Sequence, residues 1–208
     1  MTYLQIHQLA VRYKQAIILA FHLTEIGLVV FTVVASVWGL LHPEVLPIFF
    51  EIGPKFGEAA AVMLSVTLIP GIIGRLRIFP LPRATMMMFR RQFGITTYLL
   101  VVTHSLFMYW LVSFVYGFTA LSWLELFGIS ALAFGTPLII TSNDYSQRVL
   151  QKWWDRIHAL VYLMLIAGML HTLFFGVTTT SLLLTTIAVL EVISFLVQYI
   201  HAHTVPRG

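Results

Sequence analysis

The chain of 208 residues contains no cysteine. Disulfides, thiolate metal ligands and cysteine-ligated iron–sulfur clusters are therefore excluded. Charged residues are also scarce, at 10% of the chain, against about 25% in an ordinary soluble domain. Hydrophobic residues make up 59%. A single soluble core cannot bury that much apolar surface, so the composition predicts a protein that is solvated by lipid.

Six apolar segments are each close to the ~20 residues that are needed to cross the hydrocarbon core of a bilayer. Turn residues such as Gly53-Pro54 and Ser142-Asn143 separate them, and we place them at 15–41, 57–74, 92–114, 124–141, 155–176 and 180–200. Lipid offers no hydrogen bonds to the backbone, so these segments are predicted to be helices. The fold class predicted is therefore an all-α, six-helix transmembrane bundle.

The distribution of charge predicts the orientation of this bundle. Six spans put the two termini and the 75–91 and 142–156 loops on one side, with eleven basic residues: Arg12, Lys14, Arg75, Arg77, Arg83, Arg90, Arg91, Arg148, Lys152, Arg156 and Arg207. The other side has Lys55 alone. Such an excess marks the cytoplasmic side, so both termini are predicted to be cytoplasmic. The net charge of +4 then reflects topology, and we expect no nucleic acid as a partner.

The first apolar segment follows basic residues, as the core of a signal peptide does. It is too long for a signal peptide and has no small-residue cleavage site, so we expect it to remain as an anchor. The chain is therefore predicted to be an integral, multi-pass protein with membrane lipid around it.

Two histidines are predicted to lie deep in the membrane at one level. At ~1.5 Å of rise per residue, His104 lies roughly 20 Å and His171 roughly 22 Å from the cytoplasmic boundary, on helices that run in the same direction. His158 lies close to the inner surface, ~20 Å from His171 along the helix axis. His158 and His171 therefore cannot serve one small site, whereas His104 and His171 can.

Two facing imidazoles in a helical bundle suit an iron porphyrin, which needs axial ligands. The alternative is that each imidazole is a core histidine that is hydrogen-bonded to a neighbouring helix. Zinc would need a third or fourth ligand at the same depth, and the sequence offers none. Without cysteine the porphyrin cannot be attached covalently, so haem b is the type expected.

The stretch from 141 to 171 resembles the MsrQ (YedZ) haem-binding membrane subunits of the ferric-reductase-like transmembrane superfamily. The resemblance rests on Thr141-Ser142, Gln147-Arg148, Leu150, Lys152, Trp154, His158, Val161-Tyr162-Leu163 and His171. The third helix of that family resembles Arg90-Arg91, Gly94 and His104, and its second helix resembles Gly57, Ala60, Leu64, Thr67-Leu68 and Pro70. The likeness covers about residues 57–175 and implies a single domain over 1–208.

This resemblance implies a b-type cytochrome of the bacterial inner membrane with His104 and His171 as axial ligands. It implies that electrons pass from a cytoplasmic flavin donor to an outer-side acceptor, which for MsrQ is a methionine sulfoxide reductase catalytic subunit. Two-haem members have a further histidine about fourteen residues before the one on the third helix. This chain has Arg90 there, which is not a haem ligand, so the inner haem of those members would lack one of its two ligands. His158 is expected beside a second haem, a flavin such as FMN, or a haem propionate.

His22 falls where the family has a histidine in the first helix, and it could share a second haem with His158. Their estimated depths differ by about 9 Å, which disfavours that pairing. Four arginines are expected to bind haem propionates or a flavin phosphate, with lipid phosphates as alternative partners: Arg75, Arg77, Arg90 and Arg91. Glu25 and Glu191 near mid-membrane are expected to be protonated and bonded to a neighbouring helix, or to serve a quinone-linked proton path.

The sequence contains no glycine-rich nucleotide fingerprint. We therefore expect a separate electron donor, either a flavin reductase or a quinol, and a separate acceptor protein at the outer side. Two other functions remain open. One is a quinol-linked cytochrome that uses Glu25 or Glu191 for protons. The other is an accessory subunit, with or without haem, of a larger membrane redox or photosynthetic complex. A haem-free subunit would show no Soret band.

Overall fold

Long apolar helices dominate the computed structural model, which describes residues 2–118 and 120–204. Arg207, one of the basic residues counted above, lies outside this part of the chain. The described residues form no strand, and their α-helices are α1 (Tyr3–Arg12), α2 (Lys14–Leu41), α3 (Leu46–Leu76), α4 (Pro80–Ser105), α5 (Leu111–Tyr116), α6 (Trp123–Ile140), α7 (Asp144–Leu150), α8 (Lys152–His158), α9 (Leu160–Phe175) and α10 (Thr179–Thr204).

Six helical segments of the described chain are long and apolar enough to cross a membrane. They are Lys14–Leu41, Pro43–Leu76, Pro80–Tyr116, Trp123–Ile140, Lys152–Phe175 and Thr179–Thr204. The predicted all-α bundle of six spans is therefore confirmed, and the protein is an integral, multi-pass membrane protein. The side on which its termini lie stays a prediction.

The break predicted at Gly53-Pro54 is wrong. Helix α3 begins at Leu46 and continues through Pro54 and Pro70 to Leu76. A proline removes one backbone donor and usually ends or bends a helix. Inside a membrane, neighbouring helices and side chains can satisfy the backbone groups that a proline leaves unpaired. The added turns bring the Gly53 carbonyl to the level of His104, where it has a role in the site.

The third span is also longer than predicted and is not uniformly α-helical. Helix α4 begins at Pro80, since a proline in the first turn removes no hydrogen bond that the helix would otherwise form. Two residues after His104 the chain passes into a π-helical segment, Leu106–Trp110, before it resumes as α5. Such π-segments are rare and recur at functional sites.

Two segments outside the six predicted spans are helical. Helix α1 precedes the first span and is capped by Thr2 and Gln5, each of which bonds the backbone of the other. The predicted 142–156 loop contains α7 and α8, which meet at Gln151 with a φ of 45°. The polar inner end of the bundle is therefore built from short helices. Following the predicted orientation, we call the end that carries Arg90 and His158 the inner end.

Helices pack mainly as two antiparallel pairs, α3 with α4 and α6 with α9, and α10 covers α3 and α9. One buried cluster joins these helices through side chains such as Leu64, Leu68, Met164, Leu165 and Leu184. A second, nearer the outer end, contains Leu46, Phe49, Phe107 and Leu111. The two pairs face each other, and each carries one of the deep histidines.

A buried ion pair between Arg75 and Glu191 joins α3 to α10. The Arg75 guanidinium also donates from Nε to Ser194 Oγ at 2.8 Å and from Nη1 to the Tyr162 hydroxyl at 3.3 Å. It lies 4.0 Å from the centre of the Phe195 ring. The partner that was expected for Glu191 on a neighbouring helix is therefore the guanidinium of Arg75.

Arg75→Met should destabilise the protein by roughly 3–5 kcal/mol, because it leaves the buried Glu191 carboxylate without its counter-ion. The double variant Arg75→Met/Glu191→Met should recover most of that loss, because no unpaired charge remains. Unfolding in detergent measures both. Lys55→Met removes the exposed pair with Glu58 and serves as the control with little expected effect. An Arg75→Met variant as stable as Lys55→Met would contradict the role of the buried pair.

Candidate functional site

The structure brings the rings of His104 on α4 and His171 on α9 together. Their centroids lie 6.0 Å apart, and the ring planes are inclined at 77°. Both side chains are partly buried between the two helix pairs. Within the described residues, no group of three or more His, Cys, Asp or Glu side chains could hold a metal ion. The two rings therefore offer a metal two protein ligands.

A backbone carbonyl of the facing helix fixes each ring. His104 Nδ1 lies 2.9 Å from the carbonyl oxygen of Gly53 on α3, and His171 Nδ1 lies 2.7 Å from that of Leu124 on α6. A carbonyl can only accept, so Nδ1 carries the hydrogen and donates it. In a neutral imidazole the other nitrogen, Nε2, is then an unprotonated acceptor. This arrangement orients an imidazole toward a metal and fixes its tautomer.

Sequence reasoning missed these two carbonyl acceptors. Every residue has a backbone carbonyl, so neither Gly53 nor Leu124 has a side-chain signal that marks its role. Only the packing of α3 on α4 and of α6 on α9 shows which carbonyl each histidine meets.

A cavity of about 610 Å³ lies at the inner end between α4, α6, α8 and α9. Aromatic and small residues line part of it, among them Tyr98, Trp154 and Gly135, while Lys14, Arg90, Arg91 and His158 add basic or titratable groups. Gln92 also lines it, and its buried Oε1 has no hydrogen-bond partner among the described residues. The cavity therefore combines flat apolar walls with donors for an anionic group.

His158 and His22 are not brought together. His158 Nε2 lies 3.2 Å from Thr141 Oγ1, and its ring stacks on Trp154 at 3.9 Å between centroids. His22 Nδ1 lies 3.0 Å from Glu25 Oε2. The other oxygen of Glu25 accepts from Thr96 Oγ1 at 3.3 Å. Glu25 therefore has the neighbouring-helix partner that was expected, and the two histidines occupy separate surroundings.

The four arginines considered above separate into two groups. Arg90 and Arg91 line the inner cavity, and Arg91 also pairs with Asp144. The hydrogen bond from Arg91 holds the pKa of the Asp144 carboxyl below its ordinary value. Arg75 is instead occupied by Glu191, and Arg77 is the exposed residue that ends α3 with a φ of 57°. Only Arg90 and Arg91 are therefore placed to meet a molecule in the cavity.

Comparison with known proteins agrees with this architecture. The model of the family described as "Ferric reductase like transmembrane component" matches residues 56–169, which include His104 and end two residues before His171. The chain belongs to this family. The match to the ferric-reductase-like family runs from Phe56 on α3 to Met169 on α9, so it includes all of α4 and α6 and part of α3 and of α9.

Two relatives are similar over a shorter stretch. The protein-methionine-sulfoxide reductase heme-binding subunit MsrQ of Agrobacterium fabrum is 48% identical over 44 residues, which are 21% of this chain and 20% of that protein. The subunit of the same name from Rhizobium meliloti is 46% identical over 44 residues, with the same shares. These alignments span about a fifth of each relative. No solved structure gives a significant match.

Proposed function

We propose that the chain is the electron-transfer subunit of a membrane oxidoreductase and binds one haem b between His104 and His171. The observation that carries this proposal is the pair of facing imidazoles, each with Nδ1 bonded to a backbone carbonyl and Nε2 left as an acceptor. Core histidines that only stabilise helix packing have no need to face each other in this way.

The spacing of the two rings fits a single iron between them. Bonds of about 2 Å from a metal to each imidazole nitrogen, plus about 1 Å from nitrogen to ring centre on either side, separate the centres by about 6 Å. The observed separation is 6.0 Å. Two imidazoles are a common axial ligand set for haem, and facing helices of a bundle are a common place for it.

Haem b bound there would supply one-electron chemistry, since its iron alternates between two oxidation states. The chain's own groups bind and orient it. The carbonyls of Gly53 and Leu124 raise the basicity of the two imidazoles by accepting their Nδ1 hydrogens. The apolar helices around the pair exclude water. The named relatives support this assignment, because both are heme-binding subunits.

The same relatives support a separate acceptor, a methionine sulfoxide reductase catalytic subunit, because their name assigns them to such an enzyme, and we place this acceptor at the outer side. A separate donor then acts at the inner end. The inner cavity, with Arg90, Arg91 and Trp154 in its lining, suits a flat, anionic molecule. FMN and the propionate end of a second haem both have that chemistry, and a soluble flavin reductase or its reduced flavin would deliver electrons there.

A quinol-linked cytochrome is the second candidate, and the His22–Glu25 pair favours it. The His22 side chain is 48% exposed on the outside of the bundle, while Glu25 behind it is 9% exposed and bonded to α4 through Thr96. A quinol that diffuses in the bilayer must release protons when it is oxidised. An imidazole at the lipid surface with a carboxylate behind it can accept them.

His104→Ala and His171→Ala should each abolish the spectrum of low-spin, six-coordinate haem in the purified protein, because each variant removes one strong-field ligand. The optical spectrum of the reduced protein measures this. His42→Ala, a variant at another partly exposed histidine outside the site, should leave the spectrum unchanged. If both of the first two variants retain the low-spin bands, the ligand assignment is wrong. A wild-type protein without any Soret band would favour a haem-free accessory subunit.

His158→Ala should retain the low-spin spectrum and slow haem reduction by a flavin reductase several-fold, because His158 lines the inner cavity and not the site between the two deep histidines. Stopped-flow absorbance measures the rate. His7→Ala is the matched control, since its ring also bonds a threonine on another helix, Thr85 at 2.8 Å, but does not line the cavity. Loss of all haem from His158→Ala would contradict this expectation.

His22→Ala tests the quinol alternative. If quinol is the donor, this variant should retain its haem spectrum and its reduction by dithionite but be reduced several-fold more slowly by a soluble quinol. His42→Ala is the matched control, because His42 Nδ1 lies 3.1 Å from Glu44 in a similar pair at the end of the same helix. Equal rates for wild type and His22→Ala would exclude a role for the pair in quinol oxidation.

A further inference from the structure

Two parts of the sequence share a short pattern that ends at the two deep histidines. Phe56-Gly57 with Ala60 corresponds to Phe127-Gly128 with Ala131. Further along, His104-Ser105-Leu106-Phe107 corresponds to His171-Thr172-Leu173-Phe174. The two glycine-containing segments lie on α3 and α6. The two histidine-containing segments begin on α4 and lie on α9, respectively. The two helix pairs therefore share this short pattern.

Corresponding residues also make corresponding contacts around the rings. In each pair the carbonyl that accepts from the histidine lies four residues before the glycine, at Gly53 for Gly57 and at Leu124 for Gly128. The hydroxyl after each histidine donates to its own helix three residues back, at 3.0 Å in both cases. The phenylalanine before each glycine also packs on the phenylalanine three residues after the histidine. The ring centroids are 5.7 Å apart for Phe56 and Phe107 and 5.5 Å apart for Phe127 and Phe174.

Each glycine lies directly against its imidazole. A Cβ on Gly57 would lie 3.0 Å from both Cε1 and Nδ1 of His104, and a Cβ on Gly128 would lie 3.0 Å from Nδ1 of His171. Carbon atoms in contact prefer about 3.5–4.0 Å, so a methyl group there would displace the ring. Two glycines on other helices lack this contact: Gly27 on α2 has nothing within 4 Å, and Gly168 on α9 has only a leucine methyl at 3.8 Å.

We propose that Gly57 and Gly128 are equivalent positioning residues that set the orientation of the His104 and His171 rings, by allowing each imidazole to lie flush against the helix whose carbonyl accepts its Nδ1 hydrogen. A side chain at either position pushes the ring off the helix, lengthens the bond from Nδ1 to the carbonyl and rotates Nε2. The consequence for an iron ligand rests on the proposed haem function. The contact between glycine and ring does not.

A crossed set of stability measurements tests the contact independently of haem. His104→Ala and His171→Ala each remove one haem ligand, but only His104→Ala removes the ring beside Gly57. Adding Gly57→Ala should lower the melting temperature of His171→Ala by roughly 2–12 °C, the range for overpacking in a protein of this size. The same change should leave His104→Ala almost unaffected. Gly128→Ala should behave in the opposite way, destabilising His104→Ala and not His171→Ala.

Equal losses in the two backgrounds would overturn the proposal, because they would show that the glycines only allow the helices to approach. Should Gly57→Ala prevent folding, the yield of folded protein gives the same answer. If Gly57→Ala prevents folding in both the His104→Ala and the His171→Ala backgrounds, the proposal is overturned. If it allows folding in His104→Ala but not in His171→Ala, the proposal is supported. Gly168→Ala is the control in every background, because it lies on α9 close to His171 without touching its ring.

Spectroscopy of the haem-loaded protein tests the positioning role. Gly57→Ala and Gly128→Ala should each shift the low-spin electron paramagnetic resonance signal, which reports the orientation of the axial rings, and should raise the midpoint potential. The rise follows because a weaker Nδ1 hydrogen bond makes the imidazole a poorer electron donor. Gly27→Ala and Gly168→Ala should change neither. Unshifted signals and potentials in the first two variants would overturn the role. A wild-type chain without haem would overturn the proposed function and leave the crossed stability result intact.

Discussion

A polar atom inside a bilayer has no water to bond, so it must find its partner within the protein. This constraint decides the chemistry of the two deep histidines. Each imidazole must satisfy one nitrogen against a neighbouring helix, and in both cases a backbone carbonyl accepts from Nδ1. The nitrogen that remains, Nε2, then carries the lone pair that can bind a metal. The same constraint places Glu25 beside Thr96 and His22, and it joins Arg75 to Glu191.

The six spans and the pairing of His104 with His171 could be predicted because both follow from counting residues along the sequence. An apolar run has to reach a certain length, and a fixed rise per residue gives the depth of each histidine. The continuation of α3 through Pro54 could not be predicted, since proline is read as a helix breaker when the surrounding helices are unknown. The backbone acceptors and the contacts of Gly57 and Gly128 depend on how the helices pack, and no residue type in the sequence indicates them.

The two ends of the bundle differ in the kind of group that they present. Toward the outer end, the deep pair consists of two imidazole rings that are bonded to carbonyls and lie near a cluster of buried apolar side chains. The inner end has a cavity with Lys14, Arg90 and Arg91 in its lining. The positive, accessible inner end favours an anionic electron donor there. The apolar surroundings of the deep pair favour a cofactor that is itself largely apolar.

The correspondence between the two helix pairs has a consequence for biosynthesis. Each pair contributes a single ligand, and the second ligand, His171, lies near the end of α9. During translation the pair α3–α4 enters the membrane with half of the site, and that half has to wait until α6 and α9 have also been inserted. Any group that bridges the two rings therefore joins the protein late. Once bound, it also fastens together two halves of the bundle that were inserted one after the other.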